Sequence, residues 1–169
     1  MISRAVIITA YIALTTPCMA ASAPAVHYAP IENLEHVDVA EIVRVTKEID
    51  LAAYVLTDWP VIQALTAAAA RGVKVRIYLD GGELAASKPF EQLEDTTGVE
   101  MRVKPKGEPL MHLKAYQIDG KMLRTGSANF SASGLKRQDN DLVLIESPAA
   151  AASFKTKFES IFAQGERFP

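Results

Sequence analysis

The sequence predicts an α/β domain, a mixed β-sheet flanked by helices on both faces, with one domain per chain. Three observations carry this. Short apolar runs alternate with helix-like stretches of about 10 to 15 residues. An Asp-Gly pair, Asp119-Gly120, sits between two strand-like runs and adds an antiparallel hairpin to an otherwise parallel pattern. No internal repeat or low-complexity linker divides the 169 residues.

The first residues stand apart from that pattern. Arg4 precedes an uncharged apolar run, Ala5 to Thr16, which is followed by Pro17 and the small residues Ala20, Ala21, Ser22 and Ala23. This is the layout of a secretory signal peptide, and about a dozen apolar residues are too few to span a bilayer. Cleavage after Ala20 or Ala23 fits, with Ala23 preferred; an uncleaved anchor is the alternative. The expected division is therefore 1–23 signal and 24–169 domain, with a periplasmic or secreted bacterial location and no stable membrane insertion after cleavage. Cys18, the sole cysteine, falls inside the signal, so the mature chain would use neither disulfides nor a thiolate nucleophile.

Residues 25–33 read as an aperiodic lead-in containing Pro30. Val37, Ile42 and Val45 predict a helix over 37–47, and the apolar run 49–56 predicts a buried strand. Asp58 can cap a helix with Pro60 in its first turn, ended by Gly72. The alternation in 73–79 predicts a strand, broken by Asp80-Gly81-Gly82. Asp80 ends that strand, a favourable place for function in α/β folds and equally a turn former. A helix over 88–95, a strand over 99–103 and a polar loop over 104–109 follow. Strands over 113–118 and 121–125 flank the hairpin turn; a strand over 142–145 and a helix over 148–163 close the chain.

Composition excludes little. The formal net charge is −2, so global charge does not identify a partner. The chemistry is concentrated between Met111 and Ile145. His112, Lys114 and Asp119 form the pattern H-x-K-x-x-x-x-D, and Gly126-Ser127-Ala128-Asn129-Phe130-Ser131 follows the hairpin. In an extended segment His112 and Lys114 lie on one face. The returning strand brings Ser127 and Asn129 to the same end. An imidazole, a fixed cation, a hydroxyl and an amide without an acidic cluster suit a phosphate diester, and call for no metal and no cofactor.

These residues resemble the signature of the phospholipase D superfamily, the HKD motif followed by G-S-x-N-F-[ST]. The segments IDLAAYVLTD and RGVKVRIYLD also resemble the small single-motif periplasmic endonucleases of that superfamily. The resemblance implies a phosphohistidine nucleophile at His112, phosphate binding by Lys114 and Asn129, and a supporting donor at Ser127. It implies that Asp119 and Gly126 support the motif. Asp139 falls where relatives often carry a glutamate that accepts from the histidine's other ring nitrogen; here the side chain is shorter, and Asp141 is a rival. The mechanism uses two histidines, and neither His27 nor His36 begins an H-x-K pattern. A homodimer with the active site on its two-fold axis is the economical expectation.

Between Met101 and Asn140 lie eight basic and three acidic residues. Lys104, Lys106, Lys136 and Arg137 are therefore candidate contacts to a phosphate backbone, against the plainer reading of scattered solvated cations. The expected activity is a metal-independent phosphodiesterase, an endonuclease on DNA or RNA. The alternative is a phospholipase D acting on phosphatidylcholine or cardiolipin.

Overall fold

The computed structural model describes residues 23–83 and 88–168; the predicted signal, except its last residue, lies outside them. The elements in chain order are β1 (Ala25–Ala29), α1 (Leu34–Arg44), β2 (Glu48–Ala53), α2 (Trp59–Ala70), β3 (Lys74–Asp80), α3 (Lys88–Glu94) and β4 (Val99–Lys104). Then come β5 (Lys114–Ile118), β6 (Met122–Thr125), α4 (Ala132–Lys136), β7 (Asn140–Glu146), α5 (Pro148–Gln164) and β8 (Glu166–Arg167). All eight strands form one sheet in the order β1-β7-β6-β5-β2-β3-β4-β8. Strands β2, β3 and β4 run parallel, and β5, β6, β7, β1 and β8 join antiparallel, so the sheet is mixed as expected.

Strand alternation distributes the side chains between two cores. Leu51, Ile77 and Tyr116 point to one face, where Leu34, Ile42, Val61, Leu65, Leu93 and Leu135 bring α1 to α4 against the sheet. Ala52, Tyr78 and Ala115 point to the other, under Phe154, Phe158 and Phe162 of α5. Helices thus cover both faces, and β2 is buried on both sides even at Asp50. The α5 face also buries charge in register. Asp50 pairs with Arg76 on β3 and Gln117 on β5, with bonds from Arg76 Nε (2.7 Å) and Gln117 Nε2 (2.8 Å).

Several boundaries differ from the sequence reading. Helix α1 starts at Leu34 because Asn33 accepts from Glu35 N (3.1 Å), and it stops at Arg44. Residues 46–48, expected to be helical in part, give their N–H groups to Asp119 instead. The lead-in 25–29 is a strand, paired only with β7; as an edge strand it lacks the apolar alternation that would have marked it. Leu56 lies outside β2 and forms an isolated bridge with Phe130. Helix α4 and strand β8, of five and two residues, are too short for periodicity. Among the described residues, no helix is long and apolar enough to cross a membrane.

The connectivity gathers functional candidates on one end of the sheet. The C-terminal ends of β2, β3 and β4 lie there, with the start of β5, which runs against β2 and pairs Lys114 with Ala53. The end of β6 and the start of β7 complete that rim, while the Asp119-Gly120 turn lies at the opposite end.

Candidate active site

His112 lies just before β5, and Lys114 is its first residue. The chain here is held from two sides: Asp80 Oδ2 accepts from Met111 N (2.7 Å), and Leu113 O accepts from Tyr54 N (2.8 Å). Asp80 also forms the turn its position suggested, since its Oδ1 accepts from Gly82 N (2.9 Å). The Lys114 ammonium lies 2.9 Å from His112 O and 3.3 Å from His112 Nδ1. An ammonium only donates, so Nδ1 accepts and the ring proton of the neutral imidazole resides on Nε2. His112 is exposed, whereas Lys114 is only 7% exposed.

Lys114 forms no ion pair with a carboxylate among the described residues. Burial lowers its pKa from the ordinary lysine value, and the nearby Arg124 guanidinium lowers it further. A buried ammonium without a counter-ion is costly unless an anion is meant to arrive beside it. The Tyr54 ring fills the side of the pair: its centroid is 4.5 Å from that of His112 and 5.0 Å from Lys114 Nζ.

The loop after β6 is anchored by Arg124, which is fully buried. Its guanidinium meets Asp38 of α1 through Nε and NH2 (2.9 Å each), and NH1 donates to Lys114 O (2.8 Å). Longer contacts of 3.4 Å reach Ala128 O, and Tyr116 Oη donates to Asp38 Oδ1 (3.0 Å). One side chain thus ties the lysine's backbone to the residue before Asn129. Gly126 has φ 143°, and a Cβ there would stand 2.4 Å from Asp141 O, so glycine is required by close approach to β7. Asn129 is half-buried and its Oδ1 is a buried acceptor without a partner, a carboxamide with spare hydrogen-bonding capacity.

The other candidates separate into positioning and surface roles. Asp119, at φ 53° in the hairpin turn, accepts from Thr46 N (3.1 Å), Thr46 Oγ1 (2.8 Å), Lys47 N (2.8 Å) and Glu48 N (3.1 Å). The aspartate of the motif therefore clamps the start of β2, at the end of the sheet away from His112. Ser127 Oγ accepts from Asp141 N (2.9 Å) and donates to Asn140 Oδ1 (3.0 Å), while Ser127 N donates to Asp141 Oδ1 (3.1 Å). Its hydroxyl is spent on the start of β7, so within this chain Ser127 positions the loop.

Asp139 is exposed and makes no hydrogen bond among the described residues, to His112 or to any other. The expected orienting bond is absent within the chain, because His112 Nδ1 faces Lys114 and the shorter acid stays on the surface. The rival Asp141 is occupied by Ser127. Asp139, Asn140, Asp141 and Ser127 instead border a concavity of about 580 Å³ with Tyr28 and Ile31.

Folding spends several of the candidate groove cations. Lys136 is ion-paired with Glu35 and lies 3.6 Å from Asp58 Oδ2, so it joins α4 to α1 and α2 rather than facing substrate. Arg124 is buried, Arg102 bonds Glu100 and Phe162 O, and Lys121 follows the distant hairpin turn. Lys104 and Lys106, at the end of β4 and just beyond, remain near the rim; Arg137 is exposed at the end of α4. Among the described residues, no group of three or more His, Cys, Asp or Glu side chains gathers to hold a metal.

Sequence reasoning missed Tyr54, Asp38 and Arg124. The first lies inside an apolar run without any motif, and the ion pair joins residues 86 positions apart.

Residues 39–162 match the family model described as cardiolipin synthase, PLD-like domain. A phospholipase D of Rickettsia conorii is 35% identical over 115 residues, 68% of this chain and 56% of the relative, so the chain spans a little over half of that protein's length. The structure of Nuc, a phospholipase D family member from Salmonella typhimurium, superposes with a TM-score of 0.79 at 25% identity, covering 86% of this chain and 97% of Nuc. NucT from Helicobacter pylori gives the same TM-score at 20% identity, covering 86% and 99%, and so shares the fold. With a matching domain model, a shared fold, and His112, Lys114 and Asn129 carried on one rim of the sheet, this chain belongs to the phospholipase D superfamily.

Proposed function

We propose that the protein is a metal-independent phosphodiesterase that works through a phosphohistidine at His112, and that its substrate is DNA or RNA cut internally. One observation carries this reading: the Lys114 ammonium is buried beside His112 with no carboxylate partner among the described residues. That arrangement fits an anionic diester, whose non-bridging oxygens supply the missing counter-charge.

His112 Nε2 attacks phosphorus, forming a P–N bond as the bond to the leaving oxygen breaks. A second histidine protonates that oxygen, then takes a proton from water as the water displaces the imidazole. Lys114 and the Asn129 carboxamide stabilise charge on the non-bridging oxygens. For Nε2 to attack, the ring proton must move to Nδ1, which requires Lys114 to turn toward the phosphate and an acceptor to replace it.

Both the second histidine and that acceptor come, in this reading, from a second copy of the chain across a two-fold axis. The exposed apolar side chains Leu110, Tyr28 and Ile31 border the same end of the sheet and suit such a contact. Residues 1–23 direct export to the periplasm or exterior and are removed.

Phospholipase D activity is the second reading, favoured by the 35% identity to the rickettsial proteins of that name. Plasmid DNA, RNA, phosphatidylcholine and cardiolipin, each incubated with mature protein in excess EDTA and with the His112→Asn variant, separate the two. DNA cleavage that survives EDTA and vanishes in the variant is the expected result. Lipid turnover alone moves the substrate class, and cleavage that needs metal or ignores His112 overturns the mechanism.

A further inference from the structure

Among the described residues, Tyr54 is the one aromatic ring in contact with both reactive groups. Its backbone N–H is bonded to Leu113 O (2.8 Å), between His112 and Lys114 in sequence, so ring and motif are fixed to each other through the main chain. Its ring lies at 53° to the imidazole with centroids 4.5 Å apart, and Lys114 Nζ stands 5.0 Å from the ring centroid. Its hydroxyl donates to Glu83 Oε1 (3.0 Å), which fixes the ring's rotation and places negative charge at its far end.

Resting on the phosphodiesterase reading above, we propose that Tyr54 is a positioning residue for the His112–Lys114 pair. Its π face holds the buried ammonium charged and in place before the diester arrives, and its bulk limits rotation of the imidazole.

The physical reason lies in what a carboxylate would do at the same spot. A carboxylate beside Lys114 would stabilise the cation more strongly, but it would also neutralise it and repel the incoming phosphate. An aromatic face attracts a cation through its quadrupole and carries no formal charge. It can stabilise the ammonium in the free enzyme and leave the charge available to substrate. The alternative, that Tyr54 merely fills space, predicts that any side chain of similar volume serves.

Tyr54→Phe and Tyr54→Leu separate the two. The free protein is labelled at lysine 13Cε and Lys114 is titrated by NMR, the Lys114→Met variant identifying the signal. In parallel, kcat and KM on a phosphodiester substrate are followed against pH, and thermal melting reports folding.

The expected result is that Tyr54→Phe stays within about 3-fold of wild type, since the ring face is retained. Tyr54→Leu should lose about 10-fold or more in kcat, with the Lys114 titration and the alkaline limb of the pH profile both moving to lower pH. If the leucine variant does not fold, Tyr54→Met takes its place.

Leucine and phenylalanine variants that behave alike, or a Lys114 titration that ignores the ring, overturn the proposal. The titration needs no substrate. A wild type inactive on every diester, with Lys114 still sensitive to Tyr54, would remove the enzymatic reading and leave the coupling. An active wild type indifferent to Tyr54 would do the reverse.

Discussion

Asp38 and Arg124 face each other through two hydrogen bonds of 2.9 Å, and both side chains are fully buried. The pair joins α1 to β6, and the same guanidinium reaches Lys114 O and Ala128 O, so it sets the spacing between the motif lysine and the Asn129 loop. Two charges in a core cost much unless both are satisfied; here Tyr116 Oη and the backbone carbonyls complete the set. Burial pushes the Asp38 pKa up while Arg124 opposes it, and Tyr116 is pushed well above the usual phenol value. Asp38→Ala, which leaves the guanidinium uncompensated, should cost about 3–5 kcal/mol in urea unfolding. Asp38→Ala combined with Arg124→Met should recover part of that stability yet remain inactive. Recovery of activity by the double variant would show that the pair does not position the site.

Asp119 offers a contrast, since it belongs to the same motif yet serves the fold. Its carboxylate accepts four bonds from residues 46–48, and these donors hold its pKa below the ordinary value against the opposing effect of burial. Asp119→Ala should destabilise by about 2 kcal/mol or more while kcat in the folded fraction stays close to wild type. The sign of the pH effect follows from the depressed pKa. The stabilisation is fully present above the unfolded value of about 3.9 and is lost as pH falls through the folded pKa. The difference in melting temperature between wild type and variant should narrow as pH falls through that folded pKa; a kcat loss larger than the stability loss explains would mean that Asp119 acts on the site.

Asp58 shows the opposite sign. It caps α2 by accepting from Val61 N (3.3 Å), but its Oδ2 is buried without a hydrogen-bond partner. Burial, followed by the nearby Glu35, raises its pKa to about 6. The folded protein therefore binds this proton more tightly than the unfolded chain, and stability falls as pH rises from about 4 to 6. Asp58→Asn keeps a good cap and removes the titration. Its melting temperature relative to wild type should be higher at pH 7.5 than at pH 4. A constant difference across that range would place the raised pKa elsewhere.

Lys114 should trade stability against activity. Burial lowers its pKa, so the charged form is disfavoured by folding and Lys114→Met relieves that cost. The depressed pKa also means that wild-type stability rises as pH climbs through the folded value toward about 10.4. The methionine variant should melt at a higher temperature at pH 7 and lose about 10³-fold or more in diester cleavage. Inorganic phosphate should raise the melting temperature of wild type and leave that of the variant unchanged. A destabilised variant would mean that the ammonium is better satisfied than its contacts indicate.

Much of this architecture was legible from local pattern. The alternation of apolar runs, the Asp-Gly hairpin and the Asp58 and Gly72 helix signals act over a few residues, and each lies where it was expected. The layered α/β arrangement followed from the helix-length stretches that separate the apolar runs. His112 and Lys114, two residues apart, could be paired from extended geometry, and the hairpin returned the chain toward them.

What the chain alone could not reveal depends on partners far apart in sequence. The edge strand β1 exists because β7 is beside it, and nothing in 25–29 marks it alone. Lys136 looked like a free cation until folding placed Glu35 next to it, 101 residues earlier. Asp139 was assigned to His112 by position, yet within the chain the imidazole faces Lys114. Tyr54 gained its place only when β2 and β5 paired. Local sequence determined the longer elements and the reactive residue types, because propensity, capping and turn chemistry are short-ranged. Tertiary structure decided which charges are spent on the fold and which stay available for chemistry, because burial and ion pairing depend on what the rest of the chain brings near.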